Sequence, residues 1–469
     1  MKKVALSALA AAMISGVASA DALTLYSDPK TGQVYTTPGE GRVEMGDFVS
    51  AKEVDMQLRE IESKGSEYQD KMSKYVNVKS KAKSLEFSGT HYLGFTSANP
   101  DTRVTNAGAG QTSKYPARSS GFEMRRNYVQ VKGYFNDKDY VRVTMDATKE
   151  LASDPGLNNE KTAQNSGYAS VFIKYAYLYL DKVLPYTGVE MGIAHRPWID
   201  YEEHNGWFYR SFNKVAIEEK GTATESGVDL LNSADFGINF QTKTPMFSSE
   251  IGIFNGEGYH ADKGGANQEN DSKLSLEWRL TGHIIGSGEK VGKADRTKET
   301  YAHISTFGLL SANHKDEASA LGNPGETTAL KKEYDRAFYG IHAVYNQPEF
   351  LIAAQYVTAK DEARDQTANW GKRDYDLVSI NAEYRPIQDW TVIGRYDDYK
   401  WEDSSVNGTV TSSVEGSKII AGLAYKYNKN VSFIGSAKFI DEKDTKAAAK
   451  TNDTGESKDV YQLTTEIKW

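Results

Sequence analysis

The chain of 469 residues contains no cysteine, which excludes disulfide bonds, thiol catalysis and thiolate metal sites. Beyond residue 20 it also lacks any apolar run of about 18 residues, so a bundle of membrane-spanning helices is excluded. No single sign of charge dominates: 56 Lys and Arg stand against 64 Asp and Glu, which argues against a nucleic-acid partner. Aromatic residues are abundant at 11%, and the 29 tyrosines suit strands and membrane interfaces.

Residues 1–20 predict a secretory signal peptide. Lys2 and Lys3 precede an apolar run of roughly 13 residues, and the small residues Ala18-Ser19-Ala20 follow as a cleavage site. A single membrane anchor is the alternative, but the run is too short to span a bilayer as a helix. We therefore expect export and a mature chain that begins near Asp21.

Two short segments precede the main body of the chain. Residues 21–47 contain two turn signals, at 28–32 and 38–41, and two short strands are expected to flank the first turn. Residues 48–83 carry apolar or small residues at alternating spacings of three and four, which predicts a short periplasmic coiled coil and hence an oligomer. The seam residues are Ala51, Val54, Leu58, Ile61, Gly65, Tyr68, Met72 and Tyr75.

From residue 84 to residue 469 the apolar period is two, which is the period of β-strands. Leu274, Leu276 and Trp278, for example, alternate with polar residues, as they would in a strand with one apolar face. Tight turns alternate with long polar loops. An up-and-down membrane barrel has short turns at one end and long loops at the other, whereas a soluble sandwich has no reason to sort its connections in this way. We predict an all-β transmembrane antiparallel β-barrel of about 16 strands, with starts near residues 85, 122, 140, 169, 187, 234, 248, 272, 299, 334, 350, 373, 390, 417, 430 and 459.

The C-terminal stretch VYQLTTEIKW alternates up to its last residue. In a closed barrel the last strand pairs with the first, so we expect this strand to run through the bilayer with Leu463 and Ile467 facing lipid. A terminal aromatic residue on such a strand resembles the signal by which outer-membrane barrels are recognised for assembly. Trp469 is therefore a candidate assembly signal.

The long stretch after the fifth predicted strand is rich in both aromatic and charged residues. About 35 residues intervene before the alternation resumes at Ala234. A loop with so many Trp, Tyr and Phe residues is expected to fold inward and pack against the barrel wall rather than extend into water.

Two motifs carry a resemblance to a known family. One motif lies at the end of a predicted strand and reads Gly192-Ile193-Ala194-His195-Arg196-Pro197-Trp198. The other lies in the strand predicted to start near residue 248 and reads Gly252-Ile253-Phe254-Asn255-Gly256. With the order of signal peptide, coiled coil and barrel, the chain resembles the phosphate-selective porins O and P over essentially its whole mature length. The resemblance implies a trimeric, water-filled outer-membrane channel for small ions and hydrophilic solutes, with a constriction formed by residues 196–230. The implied partners are the lipid bilayer, lipopolysaccharide, two further copies of the chain and the outer-membrane assembly machinery.

Candidate site residues fall into two groups. The constriction candidates are Arg196, Asp200, Glu202, Glu203, Arg210 and Lys214, and the pore-lining candidates are Arg126, Lys132, Arg142, Lys174, Arg279, Arg395 and Lys418. Acidic residues are interspersed among these cations in the loop and on the strands, whereas a strongly selective filter concentrates one sign of charge. The pattern favours a general diffusion channel, with anions such as phosphate as candidate solutes.

Two other classes of function remain open. One is a structural or adhesive barrel that tethers the envelope, and the other is an outer-membrane barrel enzyme such as a lipase, which would need a serine and a histidine aligned on its lipid face. His195 and His204 lie near carboxylates, but their spacing fits no compact set of metal ligands. We expect no enzymatic activity, no metal and no cofactor.

Overall fold

The structure is a computed structural model. The chain divides into two compact units, Met1–Lys81 and Ala82–Trp469. The described residues are 23–48, 55, 59, 62, 81–106, 111–116, 119–148, 170–219, 226–256, 258, 274–315, 333–363, 371–405, 408–446 and 454–469. The predicted signal peptide lies outside them.

The first unit contains a small antiparallel sheet. Its strands are β1 (Leu23–Ser27), β2 (Val34–Tyr35) and β3 (Val43–Phe48), in the order β2-β1-β3. In the turn between β1 and β2 the carboxylate of Asp28 accepts a hydrogen bond from the backbone N–H of Lys30 at 2.9 Å, and Gly32 adopts φ +71°, which suits glycine. Strands β1 and β2 lie on either side of this turn.

The predicted coiled coil lies almost wholly outside the described residues. Asp55, Arg59 and Glu62 are the described residues between 49 and 80, and all three are helical. Asp55 and Arg59 form an ion pair of 3.0 Å one helical turn apart. The coiled coil and the domain boundaries at 47 and 83 stay predictions.

The second unit is a closed antiparallel barrel with sixteen strand positions. Two segments, Gln111–Pro116 and Ser119–Tyr134, pair with successive stretches of the same neighbour and together occupy one position. The strands are β4 (Ser84–Asn106), β5 (Gln111–Pro116), β6 (Ser119–Tyr134), β7 (Tyr140–Thr148), β8 (Ser170–Leu184), β9 (Thr187–His195), β10 (Ala234–Lys243), β11 (Phe247–Phe254), β12 (Ser275–Ile285), β13 (Tyr301–Lys315), β14 (Glu333–Gln347), β15 (Phe350–Ala363), β16 (Lys372–Tyr384), β17 (Trp390–Ser404), β18 (Val410–Lys426), β19 (Val431–Lys446) and β20 (Thr454–Lys468).

The barrel closes where the last strand pairs with the first, as the sequence predicts. The register of β20 on β4 sets Thr464 opposite Gly94 and Ile467 opposite His91. Every predicted strand start lies within seven residues of an observed one. The predicted barrel of about 16 strands is therefore confirmed.

The outer surface of the barrel is apolar, whereas the interior holds the buried polar and charged side chains together with an apolar cluster. Leu463 on β20 is 58% exposed on the outside, whereas its neighbour Thr464 faces inward and is fully buried. Aromatic side chains are exposed at the end of the barrel where the tight turns lie, at Tyr186, Phe247, Tyr384, Trp390, Tyr427 and Trp469. An apolar belt with an aromatic rim is the surface of a barrel that spans a bilayer.

Register shifts on β6 and β8, the strands on either side of β7, interrupt the alternation near the cavity. The pairing of β4 with β6 shifts between Tyr92 and Leu93, and the pairing of β7 with β8 shifts between Thr144 and Met145. A bulge sets two residues opposite one, so adjacent side chains can share a face. Arg125 and Arg126 both contact inward-facing partners as a result, and Lys174 and Tyr175 are both buried in the interior.

The connections are short at one end of the barrel, with one exception. Tight turns follow β6, β8, β10, β14, β16 and β18, but residues 286–300 form a longer connection between β12 and β13 at the same end. The predicted strict alternation of short and long connections is wrong at this point, because this segment folds inward, as described below. Among the described residues, no helix combines the length and the apolarity that a membrane crossing requires.

Trp469 packs where the barrel closes. Its indole lies over Gly89 of β4, where an added Cβ would come within 2.5 Å of the ring. The indole N–H donates to His91 at 2.8 Å, and the backbone N–H of Trp469 donates to the carbonyl of Gly89 at 3.0 Å. The terminal residue thus fastens the last strand to the first.

Deleting Trp469 should reduce the amount of folded barrel in the outer membrane, because both the backbone pairing and the indole contact are lost. The measurement is heat-modifiable electrophoretic mobility of membrane fractions. Trp278→Ala is the matched control, because this indole also packs over a glycine, Gly308, but not at the barrel closure. Equal folded yields for the deletion and the control would show that the terminal residue is dispensable.

Candidate functional site: the barrel interior

The segment after β9 turns into the barrel instead of away from it. It begins with helix α1 (Pro197–Asn205), in which Pro197 takes the first helical position, where no N–H is needed. Arg196 precedes the helix in an extended conformation and is buried in an ion pair with Glu277 of β12, with its Nε 2.9 Å from the carboxylate. This pair fixes the point at which the chain leaves the wall.

Aromatic packing holds the helix against the wall. The ring of Trp198 stacks on Phe307 of β13 with centroids 3.5 Å apart and planes 3° apart. Phe307 can lie flat because Gly340 on β14 has no side chain, and a Cβ there would come within 2.1 Å of its ring. The buried cluster that continues this packing contains Ile199, Tyr201, Trp207, Tyr209, Phe212, Val215, Ile217, Val228, Leu230 and Leu231 from the segment, with side chains of β13 to β19 on the wall.

A buried ionic network anchors the far arm of the segment. Glu219 accepts a hydrogen bond from Arg395 of β17 at 2.8 Å and also contacts the ammonium group of Lys418 on β18. Asp397 completes the network, with its carboxylate 2.9 Å from Lys418. All four side chains are at most 4% exposed. Removing one member of such a buried network costs about 3–5 kcal/mol, because its partner is left as an isolated charge.

The segment also crosses the interior to the opposite wall. Arg210 pairs with Glu203 and, at 2.8 Å, with Glu218, all within the segment. At the turn near residue 211, Arg125 of β6 donates a hydrogen bond to the carbonyl of Ser211 at 2.9 Å. The segment is thus held at both sides of the barrel. We call residues 196–233 the inner loop, of which 220–225 are outside the described part.

The connection 286–300 packs beneath the inner loop. The guanidinium of Arg296 lies 3.9 Å from the ring centre of Phe208 and pairs with Glu383 of β16 at 3.3 Å. Val291 joins the same buried cluster as the inner loop, and the side-chain amide of Asn346 donates to the carbonyl of Glu299 at 2.7 Å. The connection therefore braces the inner loop from the end with the tight turns. The sequence of this connection, GSGEKVGKADRTKET, does not predict its packing, because Val291 is its one large apolar residue.

A cavity of about 1330 Å³ remains inside the barrel. It is lined by the wall from β4 to β11, by the inner loop and the connection 286–300, and by residues near the tight turns that join β16 to β19 and at the end of β20. Ten Lys or Arg and seven Asp or Glu line it, a balance of +3 where the whole chain carries −8. The cavity is therefore more positive than the rest of the protein.

Several tyrosine side chains line the wall side of the cavity. Tyr175 and Tyr177 follow the bulge on β8 and face inward two residues apart, and Tyr140 of β7 packs beside Tyr177 with ring centroids 6.2 Å apart. On β6, the hydroxyl of Tyr128 accepts a hydrogen bond from Lys174 at 2.9 Å. The spacing of Tyr175, Tyr177 and Tyr179 was a signal in the sequence that could have identified this wall.

The predicted site residues separate into those that reach the cavity and those that do not. Asp200, Glu203 and Arg210 of the inner loop line it, as do Arg142 and Lys174 of the wall. Arg279, Arg395 and Lys418 are buried beneath the inner loop, and Arg196 and Glu202 are buried residues of the loop itself; none of the five lines the cavity. Arg126, Lys132 and Lys214 are partly buried outside the cavity lining, where Arg126 pairs with Asp146 and Lys132 with Glu86.

Arg196 and the three buried wall cations lie in ion pairs outside the cavity lining, and their predicted roles at the constriction and along the pore stay predictions. Strand alternation placed Arg279, Arg395 and Lys418 correctly on the inner face, but the inner loop covers them and carboxylates neutralise them. Arg395 and Lys418 pair with Glu219 of the inner loop, whereas the carboxylate that pairs with Arg279 is Glu250 of β11. Arg125 was missed, because the bulge that turns it inward breaks the alternation.

Glu202 is the buried carboxyl of α1 that has no cationic partner within ion-pairing distance among the described residues. Its Oε1 accepts a hydrogen bond from Gln355 at 2.6 Å, and its Oε2 has no hydrogen-bond partner in the described part of the chain. Burial raises the pKa of this carboxyl to about 8, and the attraction of Arg395 opposes that effect only in part. The docked loop thus favours a protonated Glu202 at neutral pH.

Barrel stability should consequently depend on pH through Glu202. The folded state binds this proton up to about pH 8 and the unfolded chain only up to about 4.5, so stability falls as pH rises between these values and is level above them. Glu202→Gln should flatten this part of the pH profile, measured as the temperature at which the folded electrophoretic form is lost. Glu289→Gln, at an exposed position, is the control. A full wild-type slope in Glu202→Gln would contradict the assignment.

No protein-family model matches the chain, and no curated protein matches it in sequence. Among solved structures, the outer-membrane expressed OmpT of Vibrio cholerae is similar with a TM-score of 0.51 and 11% identity, over 84% of this chain and 99% of that one. In-vitro folded OmpT of Vibrio cholerae in its trimer form gives a TM-score of 0.51 and 12% identity, over 82% and 99% of the two chains. At such identities the comparison establishes the fold alone. The chain is an outer-membrane β-barrel, and its apolar belt places it in the bacterial outer membrane.

Proposed function

We propose that the protein is a water-filled channel through which small hydrophilic solutes diffuse across the outer membrane. The observation that carries this proposal is the charged cavity that the inner loop leaves open along the tyrosine wall, the part of the lining formed by Tyr128, Tyr140, Tyr175 and Tyr177. A barrel that served only as an anchor would have no need of a cavity lined by ten cationic and seven acidic side chains. The inner loop narrows the passage and sets its local field.

The interior does not support the enzymatic alternative. Ser248 and His283 lie 3.0 Å apart, but Ser248 is fully buried inside the barrel and also accepts a hydrogen bond from Arg279. A lipase would need such a pair on its lipid face. We therefore propose a channel without catalytic activity.

The cavity charges favour weak anion preference over phosphate specificity. The cationic excess of the lining draws anions, yet Glu190, Asp200 and Glu203 lie within the same lining and oppose a multiply charged ion. Salt screens such fields within about 8 Å at physiological ionic strength. We infer a general diffusion channel whose preference for anions grows as salt is diluted.

Releasing the inner loop should widen the channel. The double variant Trp198→Ala with Trp207→Ala removes two fully buried anchors, each a loss of about 3–5 kcal/mol of packing, without touching the wall. Single-channel conductance in planar bilayers should rise and become noisier than in wild type. Trp278→Ala, on the outer face, should leave conductance unchanged. Unaltered conductance in the double variant would place the inner loop outside the conducting path.

We further propose that the protein is a homotrimer held partly by residues 48–80. Support comes from the heptad seam in the sequence and from the similarity in fold to OmpT, which is described in a trimer form. Deleting residues 48–80 should lower the temperature at which the trimer dissociates in mild detergent, measured by native electrophoresis. Finding the intact protein as a monomer under those conditions would contradict the proposal.

A further inference from the structure

Arg142, at the middle of the tyrosine wall, is held rigidly but not neutralised. Its Nε donates to the hydroxyl of Thr144 at 3.0 Å, and its Nη1 donates to the hydroxyl of Tyr177 at 3.1 Å and lies 3.0 Å from Nε2 of His195. Its other terminal nitrogen, Nη2, makes no hydrogen bond within the described part of the chain. No carboxylate there forms an ion pair with Arg142, although its side chain lines the cavity. Two N–H donors of a fixed cation are therefore left for a solute.

Aromatic faces surround these free donors. The guanidinium carbon of Arg142 lies 4.6 Å from the ring centre of Tyr175 and 5.7 Å from that of Tyr177. Tyr140 stacks on Tyr179 with ring centroids 5.1 Å apart and lines the same cavity. Flat rings of this kind attract other rings by stacking, beyond the area that they bury. A solute that carries one negative charge on a ring would match both the free donors of Arg142 and the aromatic rings beside them.

The acidic residues nearby limit the charge of such a solute. Glu190 lies 3.3 Å from Nδ1 of His195, and Asp200 lies 3.6 Å from Nε2 of the same ring, so two carboxylates stand just behind the group that holds Arg142. They oppose a second negative charge at this point. A single carboxylate can accept hydrogen bonds from Nη2, whereas a dianion would also face both acids at close range.

We propose that Arg142 and the tyrosines beside it form a binding site for a monocarboxylate carried on a ring. The carboxylate accepts hydrogen bonds from Nη2 of Arg142, and the ring packs against the parts of Tyr140, Tyr175 and Tyr177 that line the cavity. The ring can be aromatic or that of a sugar acid, since both present a flat or puckered face beside one carboxylate. This site rests on the proposed channel function, because it names a solute class for the same cavity.

The test is block of single-channel current in planar bilayers by four probes at equal concentration. Benzoate and glucuronate carry a carboxylate on a ring, acetate has no ring, and benzyl alcohol has no charge. In wild type, at least one ring carboxylate should block at concentrations at which acetate and benzyl alcohol do not. Block by benzoate alone indicates an aromatic ring, and block by glucuronate alone indicates a sugar ring.

Variants separate this site from the general field of the cavity. Arg142→Gln should weaken block about tenfold or more, the loss expected for a hydrogen bond to a charged group, and Arg142→Lys should restore part of it. Tyr175→Leu should weaken block by ring carboxylates while acetate stays inert, and it keeps the test available if Arg142→Gln does not fold. Lys243→Gln, at another cavity cation that forms no ion pair within the described part, should stay within about twofold of wild type.

Two outcomes distinguish failure of the site from failure of the channel. A conducting protein in which acetate blocks as well as benzoate and glucuronate, or in which Arg142→Gln changes nothing, overturns the site and leaves the channel standing. A protein that conducts no current, but that retains labelled benzoate or glucuronate in equilibrium dialysis with the same dependence on Arg142, overturns the channel and supports the site.

Discussion

Closure of the barrel is the constraint on which the rest of the structure depends. A bilayer offers no hydrogen bonds to the backbone, so each strand must find partners on both sides, and β20 must therefore pair with β4. Once closed, the strands have an outside that faces lipid and an inside that can hold charge. Trp469 packed over Gly89 shows how closely the end of the chain fits this requirement.

The interior charges are best understood as two populations with different roles. Where the inner loop meets the wall, Arg196 of the loop and Arg395 and Lys418 of the wall each pair with a carboxylate and are buried, so they position the loop and contribute little field to the cavity. Along the tyrosine wall, Arg142 is held by neutral groups and by His195, and no carboxylate in the described part of the chain forms an ion pair with it. The inner loop thus divides the interior into a side that it fills and a side that holds the cavity.

The sequence predicted the barrel well because alternation is a local property of each strand. Leu463 and Thr464 show this, since their neighbours in sequence suffice to assign one to lipid and the other to the interior. Which inward cation meets water depends instead on what the inner loop covers, and that depends on contacts such as Trp198 on Phe307, more than a hundred residues apart. A strict period of two also could not predict the bulges at Arg125 and Lys174, since each bulge moves one side chain to the other face of the sheet.

The central claim is that water and solute pass along the tyrosine wall and not along the side that the inner loop fills. Because the chain has no cysteine, single introduced thiols report access without background. Gln130→Cys lies on the cavity lining, and Ser379→Cys lies beneath the inner loop, where the serine is 2% exposed. A charged, membrane-impermeant thiol reagent should label Gln130→Cys and lower its conductance, and it should leave Ser379→Cys unlabelled. Equal labelling of both thiols, or labelling of Ser379→Cys alone, would contradict the account.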